Sequence, residues 1–142
     1  MNALNGSKFF STLDLASGFH QISMHPDDQH KTAFVTPFGL YEYTKMPMGL
    51  CNSPATYQRL MQHIFNDTLF QILLIYLDDL IIYSTIIEEH IERLDKVFIR
   101  LKEHGLKLNG KKCNFFKPQV KYLGLRRKRK ELGKDRGWRW RT

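Results

Sequence analysis

The sequence predicts an α+β domain of the ferredoxin-like, split βαβ type, ordered β-α-β-β-α-β, with a β-ribbon inserted after the first strand. Three observations lead there. An aromatic, β-branched run stops at a Gly turn, two apolar strands are separated only by Asp78-Asp79, and each of these units is followed by an amphipathic helical stretch. A chain of 142 residues suits one domain, since domains of about 100 to 200 residues bury a single core.

Phe9 to Leu15 reads as the first strand and ends at Ala16-Ser17-Gly18, a turn composition. Thr32 to Thr36 and Leu40 to Lys45 flank Pro37-Phe38-Gly39, which makes them the arms of a hairpin, the inserted ribbon. Ser53 with Pro54 predicts an N-cap and first turn, and Tyr57, Leu60, Met61, Ile64 and Phe65 follow at helical spacing. Gln71 to Leu77 and Leu80 to Ser84 read as a buried hairpin, because strands covered on both flanks are continuously apolar. Thr85 and Glu88 have capping-box spacing, and Ile87, His90, Ile91, Leu94, Val97, Phe98 and Leu101 mark a long helix ending near Gly105. Val120 to Gly124 supplies one more short strand before the basic run from Arg126 to Lys130.

The net charge of +8 is confined to the C-terminal end: residues 121–142 hold 10 Lys and Arg against 2 acids, whereas the first 120 residues balance at 12 against 12. Bulk charge therefore says nothing about nucleic-acid binding by the body, and any such function must rest on site chemistry. No apolar run nears the ~20 residues of a membrane span, and the polar N-terminus lacks a signal-peptide core. The expectation is an intracellular protein with no membrane association. Cys51 and Cys113 stand far apart without partner His or Cys spacing, which argues against a disulfide framework or a structural zinc. His20, His25, His30 and His90 form no ligand spacing either.

The topology gives the acidic residues a chemical meaning. Strands one and two run parallel under the right-handed crossover rule, and strand three lies beside strand one, so Asp14, Asp78 and Asp79 are expected to converge at one sheet edge. An Asp-Asp turn alone is an ordinary solvated corner. Asp14 within an apolar strand changes the weighing, because buried carboxylates need partners. Hard oxygen donors in such a cluster suit Mg²⁺ and two-metal phosphoryl transfer.

The motifs then resemble the reverse transcriptase of gypsy-type long-terminal-repeat retrotransposons. Ser11 to Ile22, with Leu13-Asp14-Leu15 and Ser17-Gly18-Phe19-His20-Gln21, resembles the first catalytic motif. Lys31-Thr32-Ala33-Phe34, Met46-Pro47-Met48-Gly49-Leu50 leading into Ser53 to Gln58, and Tyr76-Leu77-Asp78-Asp79 resemble later motifs in the family's order. The likeness runs from Leu4 to Gly124. It implies a polymerase palm, with residues 1–124 as a partial reverse transcriptase domain of palm and part of the fingers, and residues 125–142 as a basic, disordered tail.

By the same resemblance, Asp14, Asp78 and Asp79 bind two Mg²⁺ ions, with Mn²⁺ as the substitute, and join Lys112 as the catalytic set. Phe19 falls at the steric gate against a ribose 2′-hydroxyl, Met48 and Gly49 at the loop contacting nucleotide and template, and Tyr122, Leu123 and Gly124 at the start of the primer grip. Plain packing is the competing reading for Phe19 and Met48, and solvation for Lys112. The implied partners are an RNA or DNA template-primer and deoxynucleoside triphosphates, with missing polymerase subdomains supplied by another chain.

Two departures from the family stand out. Asp14 lies 13 residues after Met1, so the preceding finger segment is expected to be absent; and Leu125 opens a basic, Trp-containing tail where the family continues with His and an apolar strand. The isolated chain is expected to be inactive. The alternative function is a truncated or repurposed retrotransposon remnant, non-catalytic, that binds nucleic acid through Arg126, Arg127, Lys128, Arg129 and Lys130. That run also reads as a nuclear-import signal, placing the protein in cytoplasm or nucleus. A nucleotide cyclase on the same topology would need a glycine-rich signature before Asp78. An RNA-recognition module would need paired aromatics in a Lys/Arg-Gly-Phe/Tyr pattern, which Leu80 to Ser84 lacks.

Overall fold

The structure, a computed structural model, describes residue 4 and residues 6–76, 79–122 and 125–128. Along the chain come β1 (Phe9–Asp14), α1 (Pro26–Gln29), β2 (Phe34–Thr36), β3 (Gly39–Tyr41), α2 (Ser53–Ile64), β4 (Leu73–Tyr76), β5 (Asp79–Ser84), α3 (Ile87–Glu103), β6 (Asn114–Lys117), β7 (Gln119–Tyr122) and β8 (Leu125–Lys128). Four strands form the main sheet in the order β4-β5-β1-β6, while β2 with β3 and β7 with β8 form separate two-stranded sheets. Each pairing in the main sheet is antiparallel.

Period-two alternation sorts β1 and β5 into two faces. On one face Leu13, Leu80, Ile82 and Leu73 meet Tyr57, Met61 and Ile64 of α2 and Leu94, Val97 and Leu101 of α3, all buried. The opposite face carries a smaller cluster in which Phe10, Leu74, Ile81 and Tyr83 are covered by Leu4 and Val120. Truncating one of the fully buried leucines to Ala should cost about 2–5 kcal/mol. Val120 is the buried residue that seats β7 on this second face.

Four expectations about the elements are corrected. The fourth strand of the main sheet is β6, not the segment at Val120, which pairs instead with β8. Asn114-Phe115-Phe116-Lys117 escapes sequence reading because its side chains are exposed and its register on β1 is interrupted, with Phe116 at φ 52. The basic run does not end all pattern, since Leu125 to Lys128 form a strand. Ser53 is not the N-cap of α2; Asn52 holds that position, and the Ser53 hydroxyl donates to the Pro47 carbonyl at 3.2 Å, pinning the preceding loop. The capping box at Thr85 and Glu88 is displaced by one residue: α3 begins after Ile86, and Glu89 reaches back to the Thr85 N–H at 3.2 Å. Ser84 explains the shift, for its hydroxyl holds the Ile86 carbonyl at 2.9 Å and keeps Thr85 and Ile86 out of the helix.

The exit from α3 matters for the site. Gly105, at φ 65, adopts the left-handed conformation that a glycine takes without strain; its N–H bonds the Lys102 carbonyl at 3.1 Å, and Leu106 N–H bonds Leu101 at 2.8 Å. This Schellman turn directs the chain back toward the end of β1.

Candidate active site

Asp14 closes β1 and Asp79 opens β5, and the two are register partners. Directly opposite residues in an antiparallel pair share a face, so both carboxylates stand at the edge of the face that carries Phe10, Thr12, Ile81 and Tyr83, about 4.5–5.5 Å apart at Cα. The facing carboxylates repel. Partial burial, reinforced by Asp14, raises the Asp79 pKa above the ordinary carboxylate value, while Lys112 pulls the other way. Lys112 Nζ lies 3.8 Å from Asp14 Oδ2, with its side chain 66% exposed. It neutralises only part of the local negative charge.

These groups line a small cleft of about 180 Å³ together with Thr12, Leu13, Ile81 and Asn114. Asn114 reaches the Lys112 carbonyl at 3.3 Å and Thr12 Oγ1 at 3.4 Å, tying β6 to the cleft wall. Asp78, expected as the third member, lies outside the described residues, and among the described residues no group of three acidic, His or Cys side chains is placed to hold a metal. The donor set nonetheless fits a hard cation: two carboxylates share one edge, burial and Asp14 raise the pKa of one of them, and the counter-charge of Lys112 is solvent-exposed.

Phe19 sits in the short 3₁₀ turn Gly18–Gln21, which Ser17 enters at φ 50 and ψ 54. Its half-buried ring packs edge-on against Tyr57, centroids 5.2 Å apart at 72°, so it joins the core while keeping one side open. Met48 is 65% exposed, which removes core packing as the account of this methionine. Gly49 holds φ 96, a conformation that any side chain would strain, although no neighbour approaches where a Cβ would be. The loop is held by Met46 N–H on Ile22 at 2.9 Å and by Ser53 on Pro47, which couples it to the segment after Phe19.

Tyr122 ends β7, while Leu123 and Gly124 lie outside the described residues. Arg126, Arg127 and Lys128 fall on β8, opposite Lys121, Val120 and Gln119; Arg129 and Lys130 lie outside the described residues, as does the rest of the tail. Among the described residues no helix is long and apolar enough to cross a membrane.

Two arrangements had no warning in the local sequence. Gln21 hydrogen-bonds across 86 positions to Lys107, and His90 is fully buried between Ser11 and Ser84. His90 Nε2 lies 2.7 Å from Ser11 Oγ and Nδ1 2.9 Å from Ser84 Oγ. Because the Ser84 hydroxyl donates to Ile86, it accepts from Nδ1–H; because Phe116 N–H donates to Ser11 at 3.2 Å, the Ser11 proton goes to Nε2. The tautomer is thereby inferred, and every partner is satisfied. Burial, then the charge of Arg93, lowers the His90 pKa against a smaller opposing effect of Glu89. A helical position with apolar neighbours was the available signal, and it does not reveal a partner 79 residues away.

Residues 1–126 match the reverse transcriptase (RNA-dependent DNA polymerase) family, and the chain belongs to it. It is 46% identical over 124 residues to the retrovirus-related Pol polyprotein from transposon 297 of Drosophila melanogaster, covering 87% of this chain and 12% of that polyprotein. The corresponding polyprotein of transposon gypsy, from the same fly, is 37% identical over 122 residues, covering 86% of this chain and 12% of its own length. The chain thus spans about an eighth of these relatives. Among solved structures, the foamy viral protease-reverse transcriptase in complex with RNA/DNA hybrid superposes with a TM-score of 0.80 at 30% identity, over 86% of this chain and 16% of that one.

Proposed function

We propose that this chain forms the carboxylate-bearing palm of an RNA-directed DNA polymerase, which extends a primer 3′-hydroxyl with deoxynucleoside triphosphates on an RNA or DNA template. The observation that carries the proposal is the register pair Asp14 and Asp79 at the mouth of a cleft that also holds Lys112. The antiparallel order β4-β5-β1-β6 supports reading the sheet as a split βαβ palm, with β2 and β3 as its inserted ribbon.

In this reading Asp14 and Asp79, joined by Asp78, hold two Mg²⁺ ions, or Mn²⁺ in their place, which when bound activate the attacking hydroxyl and neutralise the departing pyrophosphate. Lys112 supplies a proton to that pyrophosphate from an exposed ammonium beside Asp14. Phe19, braced by Tyr57, fills the space of a ribonucleotide 2′-hydroxyl. The exposed loop at Met48 and Gly49 contacts the nucleotide and template, and Tyr122, Leu123 and Gly124 guide the primer. The basic residues Arg126 to Lys130 add phosphate contacts.

Templated primer extension by a complete gypsy-type reverse transcriptase carrying this segment tests the proposal. Asp14→Asn, Asp78→Asn and Asp79→Asn should each remove extension, and chelation of divalent metal should do the same. Full extension by any of the variants would strike that residue from the catalytic set. Phe19→Ala should raise ribonucleotide incorporation while deoxynucleotide use stays largely intact; unchanged selectivity returns Phe19 to packing alone.

A further inference from the structure

Lys112 is held in place by a relay of backbone contacts that starts at Asp14. Beyond the Schellman turn, Lys107 to Asn109 run beside the end of β1. Ala16 N–H donates to the Lys107 carbonyl at 2.9 Å, Leu15 and Leu108 form a β-bridge, and Asn109 N–H donates to the Asp14 carbonyl at 2.8 Å. Asn109 then accepts the N–H groups of Lys112 at 3.0 Å and Cys113 at 3.2 Å. The backbone of the lysine therefore depends on the seating of three residues against the loop after Asp14.

That seating is closed by one side chain. The Gln21 carboxamide donates from Nε2 to the Lys107 carbonyl at 2.9 Å and accepts the Lys107 N–H on Oε1 at 2.7 Å. It thus exchanges both bonds with one residue, as an opposite residue does in an antiparallel ladder. Nε2 also donates to the Ala16 carbonyl at 2.6 Å. Both amide protons and the oxygen are used, and one side chain bridges the loop after Asp14 to the segment that leads into Lys112. No apolar group replaces these contacts, and a carboxylate would set two acceptors against two carbonyls.

We infer that Gln21 is a positioning residue for Lys112, setting the distance between that ammonium and the carboxylate edge. The inference rests on the reading of Lys112 as proton donor. Because the clamp's two bonds with Lys107 are solvent-exposed, their loss should change overall stability little, whereas a misplacement of about 1 Å at a reacting group can cost roughly 10²-fold in rate.

The decisive measurement is single-turnover nucleotide incorporation by a complete reverse transcriptase carrying this segment, with Gln21→Met, Lys112→Ala and the double variant. Gln21→Met should lower the maximal incorporation rate about 10- to 100-fold, with the deoxynucleotide KM changed less than about twofold. In the Lys112→Ala background it should cause no further loss. A full rate in Gln21→Met, or losses that multiply in the double variant, overturns the inference while leaving Lys112 in place. An unimpaired Lys112→Ala enzyme instead overturns the reading of Lys112 itself, and the inference with it. A second readout uses the 142-residue chain without substrate: by amide hydrogen exchange, Gln21→Met should lose protection at Lys107 N–H but retain it at Leu80 and Ile82. Retained protection at Lys107 would likewise overturn the clamp.

Discussion

The two ends of the β1–β5 pair are built on opposite principles. At one end Ser11, Ser84 and His90 form a closed hydrogen-bond relay, buried, with each donor matched to an acceptor. At the other, Asp14 faces Asp79 with, among the described residues, one exposed lysine as counter-charge, and the pair's charge is only partly neutralised. Fewer than six residues of strand separate satisfaction from conflict. Rigid, fully paired groups at the far end hold the register, and the repelling carboxylates stay opposite each other because β1 cannot slip. A one-residue slip would move every side chain of the strand to the other face.

Breaking the satisfied end should have the largest effect on stability. His90→Ala removes a buried ring and takes the acceptor from the Ser11 proton and the donor from the Ser84 hydroxyl, which should lower unfolding free energy by about 3 kcal/mol or more in denaturant titration. An unchanged midpoint would show the relay to be incidental. Acid should act on the same point. The folded-state pKa of His90 lies below the unfolded value near 6.5, so the unfolded chain binds the extra proton as pH falls. Stability is therefore full above about pH 6.5 and declines below it until the folded-state pKa is reached, whereas a His90→Gln variant, with nothing to titrate there, should lose that part of the slope.

The charged end should respond in the reverse sense, and less. Asp79 has a raised pKa, so the folded chain holds its proton longer and stability falls as pH rises from about 3.8 through the raised value. Asp79→Asn should raise Tm by about 1–3 °C, a small gain because solvent screens much of the repulsion. A lower Tm would mean that Asp79 contributes a stabilising contact rather than strain. Loss of extension together with gain of Tm in one variant is the sharpest form of the contrast.

The legible and illegible parts of the molecule divide along the same line. Apolar periodicity located β1, β4, β5, α2 and α3, because their core-facing residues repeat within each element. The convergence of Asp14 and Asp79 followed from strand order, a consequence of topology that short-range pattern can support. By contrast β6 is an exposed edge strand with an interrupted register, so neither alternation nor burial marks Asn114 to Lys117. Gln21 and His90 act through partners 86 and 79 positions away, and a polar side chain's sequence neighbours carry no trace of such a partner. The displaced caps of α2 and α3 have a related cause: Ser53 and Ser84 spend their hydroxyls on carbonyls outside the helices, a choice that tertiary structure makes.

The central place of β1 has a consequence for synthesis. Phe9 pairs with Ser84 and Phe10 with Lys117, so β1 precedes both of its main-sheet partners along the chain. Between its emergence and that of its partners the ribosome adds roughly 70 to 110 residues, which at about 5–20 residues per second takes roughly 4 to 20 s. Until β5 is made, the strand carrying Phe9, Phe10 and Leu13 has both edges open, and one edge stays open until β6 is made, the kind of template on which nascent chains aggregate. Production of this fold should therefore be limited by how well that strand is shielded during translation, and a holdase chaperone acting on nascent chains should raise soluble yield more than any gain in the stability of the finished domain.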